Sequence, residues 1–328
     1  MRMDISVVIV SYKGYDRLVK CLDSLQKIAG SLFSMEVIVV NNCRGDSVFD
    51  EIKLSYPGFI FTDNPVNGGY SNGCNLGASY AKGDNILILN PDTVVSEAAL
   101  SGLLNTLKSE KSITMISCKQ VNEKGRESIA WGPFPGFSNL TGFMRMIFNT
   151  GYKSQKRYRK DFSVEIFFPD WVSGSLMLMR TNDFRFHGGF DEDFWMYSED
   201  VDLCRRIRNA GGDIAYHSGI TIEHNHGGSS RINLKTSALT KTEVYISRHL
   251  YFAKHKKGLE RVMIQTFIVI NNLLSAGIIG LAGLLFFYIR KLFLRSVVFK
   301  NLTAYYLRAV SVKSWIGPRS VNNGNFKK

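Results

Sequence analysis

Three apolar runs, separated by segments with helical spacing, constrain the N-terminal part of this chain more than anything else in it. Ile5 to Val10 is interrupted only by Ser6, Glu36 leads into Val37-Ile38-Val39-Val40, and Ile86-Leu87-Ile88-Leu89 is the third. A strand with one wet face alternates apolar and polar residues, so runs without alternation belong to strands covered on both faces. Between them Tyr15, Leu18, Val19, Leu22, Leu25 and Ile28 recur every three or four residues, and Leu100, Leu103, Leu104 and Leu107 do so later. Both sets mark amphipathic helices. Phe59-Ile60-Phe61 adds a shorter strand. Strands alternating with helices predict an α/β fold with a mostly parallel sheet, and such sheets take ligands at the carboxyl ends of their strands. The loops expected there are Ser11-Tyr12-Lys13, Asn41-Asn42, a glycine- and asparagine-rich loop from Asn64 to Gly77, and Asn90–Thr93.

A dinucleotide fold would carry G-x-G-x-x-G after the first strand. This chain has Ser11-Tyr12-Lys13-Gly14-Tyr15-Asp16 there, and GxxxxGK[ST] is absent, so an oxidoreductase reading is disfavoured. The net charge is +13, but residues 290–328 hold nine Lys/Arg and no Asp or Glu, and the first 253 residues are close to neutral. A nucleic-acid binder spreads basic residues over its folded domain, so no nucleic-acid partner is expected. The five cysteines, Cys21, Cys43, Cys74, Cys118 and Cys204, form no CxxC pair and read as free thiols in a reducing compartment. The start of the chain has no secretory apolar region, so the body is expected in the cytosol.

Chemistry concentrates at two places. Asn90-Pro91-Asp92 closes a buried strand, where a carboxylate points into the ligand crevice. Residues 190–202 place six carboxylates among Phe190, Phe194, Trp195 and Tyr197. Aromatic walls raise a carboxylate toward the range of a useful base. Leu203, Ile207 and Ala210 before Gly211-Gly212 predict a helix with a glycine stop, whose first turn holds Glu199, Asp200 and Asp202. For Asp202 a capping role is at least as reasonable as a catalytic one. His224 and His226 follow an alternating run, and imidazole, carboxylate and diphosphate oxygens together make a credible Mg²⁺ or Mn²⁺ shell. The basic run Lys153–Lys160 reads as a solvated loop or a phosphate clamp, and Trp131–Gly136 as a turn-rich aromatic loop.

These residues resemble glycosyltransferase family 2, most nearly its rhamnosyltransferase-like branch. The resemblance rests on Ser6–Tyr12, Asn67-Gly68-Gly69-Tyr70 with Asn75-Leu76-Gly77, Leu89–Thr93, Asp170–Ser175, Gly189–Arg206 and His224, in the family's order over residues 4–255. It implies a GT-A fold and an inverting, metal-dependent transfer from a nucleotide-diphosphate sugar. By the resemblance, Asn90 and Asp92 stand in the family's DxD motif, Asp92 and His224 hold the metal, and Asp200 is the catalytic base with Glu199 supporting it. Tyr12, Asn67, Gly69 and Asn75 cradle the nucleotide, while Trp171 and Gly174 line the sugar and acceptor side. Asn41 departs from the pattern, since the family's second strand usually ends in an Asp that reads the base. An amide oxygen can accept the same hydrogen bond, without the charge.

The C-terminal stretch 266–289 has 24 residues and no charge, long enough to cross a ~30 Å hydrocarbon core. Asn271, Asn272 and Ser275 and the basic residues at both ends leave a span, a surface-lying helix or an oligomer-forming helix open. The division expected is a glycosyltransferase domain over 1–255, with a nucleotide-sugar half (1–120) and an acceptor half (121–255), then a helical membrane-associating region over 256–328. A cut at residue 258 is expected to leave a donor-binding body. Overall the sequence points to an enzyme on the cytoplasmic face of a membrane, using a polyprenyl-diphosphate-linked saccharide as acceptor. The competing reading is a non-catalytic nucleotide-sugar-binding subunit, supported by Asn41.

Overall fold

The computed structural model describes residues 3–28, 33–147, 165–225 and 232–323. It divides into two units: Met1–Asn67, Gly73–Phe190 and Asp200–His226 form the first, and Gly68–Asn72, Asp191–Glu199 and Gly227–Lys328 the second.

The first unit is a mixed sheet. Strands β1 (Ile5–Ser11), β2 (Met35–Asn41), β3 (Ile60–Asp63) and β4 (Asn85–Leu89) are mutually parallel in the order β3-β2-β1-β4. They are joined through helices α1 (Tyr15–Gln26), α2 (Ser47–Ser55) and α3 (Gly69–Tyr80). Every residue of β1 is buried, as its unbroken apolar run requires, and its one polar interruption is satisfied inside the sheet, where Ser6 Oγ donates to Glu36 Oε1 at 2.5 Å. Helix α1 buries Leu18, Cys21, Leu22 and Leu25, the face that its spacing marks. The chain continues through β5 (Thr93–Val94), α4 (Glu97–Ser109), β6 (Ile113–Val121), β7 (Glu127–Ser128), β8 (Trp131–Gly132), α5 (Gly142–Ile147), β9 (Ile166–Phe167), β10 (Trp171–Val172) and β11 (Leu176–Arg180). It closes with α6 (Thr181–Phe186), α7 (Glu199–Asn209) and β12 (Asp213–His224). Strand β11 lies antiparallel between β4 and β6, and β12 runs parallel to β6 and pairs with β5. Because β11 runs backwards, it presents its beginning, Gly174-Ser175, where its neighbours present their ends; Asn90 N–H donates to Ser175 O at 2.9 Å. All five cysteines are free, and four of them are buried.

The structure corrects two local expectations. Most of the glycine-rich stretch 64–77 is helix, beginning at Gly69. Its glycines serve close approach: a Cβ on Gly73 would lie 2.8 Å from Val10 Cγ1 and one on Gly77 2.4 Å from Val8 Cγ1. Packing against the sheet outweighs glycine's low helix propensity. Within the aromatic loop, Trp131-Gly132 forms a short ladder with β10. The basic run 153–160 and His226 lie outside the described residues.

The second unit holds three helices, α8 (Leu234–His255), α9 (Gly258–Leu285) and α10 (Arg290–Ser311). Helix 234–255 therefore groups with the C-terminal helices, because Ala238 and Ile246 share an apolar cluster with Val298, Leu302, Tyr305, Tyr306 and Ala309. Polar groups staple this core. Buried His249 meets Gln265 Oε1 through Nδ1 and Tyr306 OH through Nε2 (2.9 Å), and Asn272 Nδ2 donates to the same hydroxyl at 2.9 Å. Trp315 stacks on His249 with ring centroids 4.7 Å apart. Gly283 lets α9 and α10 touch; a Cβ there would sit 2.2 Å from Leu292 O. The outer face of α9 is apolar and exposed at Val262, Ile270, Leu274, Ile278 and Leu285.

Candidate active site

The pairing of β5 with β12 builds the first half of the site. Thr93 stands opposite His224, and Asn225 N–H donates to Asp92 O at 2.9 Å, so the residues flanking that register meet. His224 Nε2 lies 3.2 Å from Asp92 Oδ1, with both side chains at least 85% buried. On the other side of the ring, Nδ1 faces Gln120 Oε1 at 2.8 Å, and Ser175 Oγ donates to the same oxygen at 2.8 Å. The Gln120 acceptor favours a proton on Nδ1, which would leave the Nε2 lone pair for a cation bound beside Asp92. A carboxylate oxygen and an imidazole lone pair converging at 3.2 Å form a donor set suited to a cation. Arg17 from α1 lies 3.7 Å from the other Asp92 oxygen. Among the described residues no group of three or more His, Cys, Asp and Glu side chains forms a metal cage, so any ion here would be completed by ligand oxygens.

The second half is Asp200, at the start of α7. Gly174 N–H donates to Asp200 Oδ2 and Val201 N–H to Oδ1, both at 2.8 Å. Burial pushes the carboxyl above the usual carboxylate range, against the lowering pull of those amides. The halves are linked within the sheet unit: beside Gly174, the Ser173 and Ser175 hydroxyls lie 3.0 Å apart, and Ser175 reaches His224 through Gln120.

The six acids of residues 190–202 separate by partner. Asp191 and Asp193 bond Lys254 Nζ at 2.6 and 2.5 Å, and Glu192 Oε2 accepts from Asn72 Nδ2 at 2.9 Å. Asp202 is buried against Arg206 Nε at 2.8 Å, which gives it a structural task. Asp200 and the buried Glu199 are the remaining two.

The other anticipated residues take varied positions. Tyr12 follows β1, Asn67 precedes α3, and Asn90 follows β4 with its carbonyl accepting from Thr93 Oγ1 at 2.7 Å. Gly69 opens α3 in the second unit with φ +88, and a Cβ there would lie 1.9 Å from Trp195 O. Asn75 does not point its amide at open space: Nδ2 donates to Phe190 O at 2.8 Å and Oδ1 accepts from Phe190 N at 2.9 Å. Trp171 Nε1 donates to Pro133 O at 2.8 Å, so its ring lies over the β8 turn. Asn41 is buried, its Nδ2 donating to Asp63 Oδ1 at 2.8 Å and its Oδ1 accepting from Cys43 N at 2.9 Å. The exposed carboxylate at these strand ends is thus Asp63, brought beside Asn41 by the β2–β3 register. Sequence reasoning missed Asp63, Gln120 and Arg17; Ser175 it placed only within the Asp170–Ser175 motif, without its bond to Gln120. Gln120 alone carried a usable signal, a polar residue at the end of a mainly apolar strand.

Comparison with known proteins fixes the class. The glycosyl transferase family 2 model matches residues 6–167, and the chain belongs to that family and is a glycosyltransferase. Over 220 residues it is 29% identical to the rhamnosyltransferase WbbL of Escherichia coli K12, covering 64% of this chain and 79% of that protein. A 60-residue segment is 42% identical to an N-acetylglucosaminyl-diphospho-decaprenol L-rhamnosyltransferase of Mycobacterium tuberculosis, 18% of this chain and 20% of that protein. The sequence therefore sits beside the rhamnosyltransferases of its family. Among solved structures, the mannosyltransferase PcManGT of Pyrobaculum calidifontis, in complex with GDP-Man and Mn²⁺, superposes with a TM-score of 0.53 at 14% identity, covering 95% of this chain and 87% of that one. GalNAc-T7 with UDP, GalNAc and Mn²⁺ gives 0.55 at 16% identity over 81% of this chain, which spans 54% of the GalNAc-T7 chain. Both show a shared GT-A fold.

Proposed function

We propose that this glycosyltransferase moves a sugar, rhamnose by its relatives, from a nucleotide-diphosphate donor to a polyprenyl-diphosphate-linked saccharide, with inversion and with a divalent cation. The observation that carries the reading is the linked pair of half-sites at one end of the sheet, Asp92 with His224 and Asp200 with Gly174. Asp92 and His224 would hold Mg²⁺ or Mn²⁺, which when bound screens the charge of the departing diphosphate. The acceptor hydroxyl oxygen forms a bond to the anomeric carbon as the bond to the phosphate oxygen breaks. The nucleoside diphosphate leaves with the bonding electrons, and the hydroxyl proton passes to Asp200. One displacement inverts the anomeric centre and needs one base. Burial favours a base that holds a proton more readily than an ordinary carboxylate. Tyr12, Asn41 with Asp63, Asn67, Gly69 and Asn90 are read as the donor side, Trp171 and Gly174 as the acceptor side, and Glu199 as support for Asp200. Asp63 beside Asn41 supplies a carboxylate at that strand end, which counts against the non-catalytic alternative.

The exposed apolar face of α9, followed by Phe287, Tyr288 and the cations Arg290 and Lys291, supports association with an anionic lipid surface on the cytoplasmic side. Internal packing of Gln265 and Asn272 favours a helix that lies on the surface or enters part-way over one that spans alone. The test is release of nucleoside diphosphate from a nucleotide-rhamnose donor with Mn²⁺ and N-acetylglucosaminyl-diphospho-polyprenol. Turnover that requires both is expected; none with any nucleotide-sugar would overturn the reading.

A further inference from the structure

The loop that runs into Glu199-Asp200 is strained. Tyr197 and Ser198, neither of them glycine, have φ of +72 and +63. Left-handed backbone at such residues is strained and persists only where the surroundings over-determine it. Within the second unit the surroundings are specific. Tyr70 N–H donates to Trp195 O at 2.7 Å, and Lys254 clamps Asp191 and Asp193. The rest comes from the far end of the chain. Ser320 Oγ donates to Glu192 O at 3.1 Å, and Asn322 Nδ2 donates to Asp193 Oδ1 at 3.0 Å. The Arg319 guanidinium lies over the Trp195 ring, 5.5 Å from its centroid, and is aimed by Glu243 Oε2 at 3.4 Å. Glu243 is itself 2% exposed, so the arginine has a fixed, buried anchor on α8. Val321 occupies the space beside Gly68, where a Cβ would come within 2.7 Å of its Cγ1.

We infer that residues 319–322 are a strap that holds the loop 191–199 in its strained form, and that Arg319 is the positioning residue through which the C-terminus sets the catalytic base. The physical argument is one of rigidity. A loop with two left-handed residues relaxes when its fastenings are cut, and the residue covalently next to it is Asp200. A general base must hold its reach to within a fraction of an ångström for efficient proton transfer, so a small relaxation there lowers turnover. The strap also changes the meaning of the C-terminal region. Sequence alone makes residues 256–328 a membrane-associating region, with an oligomer-forming helix as the alternative. Here residues 319–322 fasten the loop that leads into Asp200, so a cut at residue 258 removes part of the catalytic scaffold.

The inference rests on the reading of Asp200 as base, and the experiment separates the two. The full-length protein carries four tryptophans, so 5-fluorotryptophan labelling gives four ¹⁹F lines, with Trp195 assigned by Trp195→Phe. In Arg319→Ala the Trp195 line should shift or broaden while the other three stay, and kcat for nucleoside diphosphate release should fall about tenfold or more with donor KM changed less than twofold. Arg319→Lys keeps a cation facing Glu243 but loses the planar face, and should fall between; it also serves if the alanine variant does not fold. An unmoved Trp195 line overturns the strap. A moved line with unchanged kcat overturns the positioning role. Failure of the base reading would show elsewhere, as full activity in Asp200→Asn, and would leave the ¹⁹F result standing.

Discussion

The sheet unit and the helical unit are held together by different means. In the sheet unit the core is mainly aliphatic: β1, β2 and β4 bury side chains most of which make no directional bonds, the Ser6–Glu36 pair being the exception inside the sheet, and other polar groups gather at the strand ends. In the helical unit the apolar cluster is threaded by polar and aromatic groups, His249, Gln265, Asn272 and Tyr306, and buried Glu243 is held by Arg319. Apolar burial tolerates exchange of a strand-end side chain, because nothing in the core depends on it. A buried hydrogen-bond network does not, since each lost partner leaves another group unsatisfied. Substitutions in the sheet unit should therefore alter chemistry while the fold stands, and those in the helical unit should alter stability first.

The largest effect expected is at Asp200. Asp200→Asn should lower kcat by at least about 10²-fold, the typical worth of a general base, while thermal stability and donor affinity stay close to wild type. The pH profile sharpens this. Transfer requires the carboxylate, and burial raises its pKa, so kcat should fall on the acid side at a pH above the ordinary carboxylate range. An acid limb absent down to the pH of unfolding would contradict the assignment. Next comes Gln120. Gln120→Leu frees the His224 ring from its tautomer-fixing partner and should weaken Mn²⁺ binding about 10-fold or more, measured by titration calorimetry in the presence of nucleoside diphosphate.

How far the sequence disclosed this molecule follows the same division. Unbroken apolar runs and three- and four-residue spacings announce the sheet unit, since apolar burial is written locally. That Asp92, His224 and Asp200 stand at strand and helix ends was legible, because carboxylates and imidazoles there stand out against apolar surroundings; the roles given to them are proposed. Helix α3 was not, because glycine argues for a loop while Gly73 and Gly77 serve packing against Val8 and Val10. Asn75 looked like a ligand-binding amide and is spent on the Phe190 backbone, a partner 115 residues away. The same distance in sequence hid the strap: nothing in Arg319-Ser320-Val321-Asn322 signals Trp195 or Glu192. Polar networks of this kind are fixed by tertiary placement, and local patterns do not encode them.

Two smaller effects test the helical side of the comparison. Tyr306→Phe removes the hydroxyl that both His249 and Asn272 use, and should cost about 1–3 kcal/mol. Amide hydrogen exchange should report that loss in α8–α10 and leave β1, β2 and β4 protected as before. Faster exchange throughout the sheet would break the distinction between units. The smallest effect is in pH dependence. Burial raises Glu243 to about 7, so the folded state holds an extra proton between the ordinary glutamate value and 7, and stability falls with rising pH there. Burial lowers His249 to about 4, so the unfolded state holds the extra proton between 4 and the ordinary histidine value, and stability rises. The two slopes oppose over most of that window. In Glu243→Gln only the rising term remains, so protection of α8 and α10 should increase from pH 4.5 to 6.5 where the wild type is nearly flat.

The central claim is that Asp92 and His224 hold a divalent ion for the donor diphosphate while Asp200 serves the acceptor. Calorimetric titration of the nucleotide-sugar donor into the full-length protein, with Mn²⁺ or with chelator, tests it most directly. Donor binding should require Mn²⁺ in the wild type, persist with Mn²⁺ in Asp200→Asn, and be lost in both Asp92→Ala and His224→Ala. Tight donor binding by the wild type in chelator, or wild-type binding by Asp92→Ala, would contradict the account.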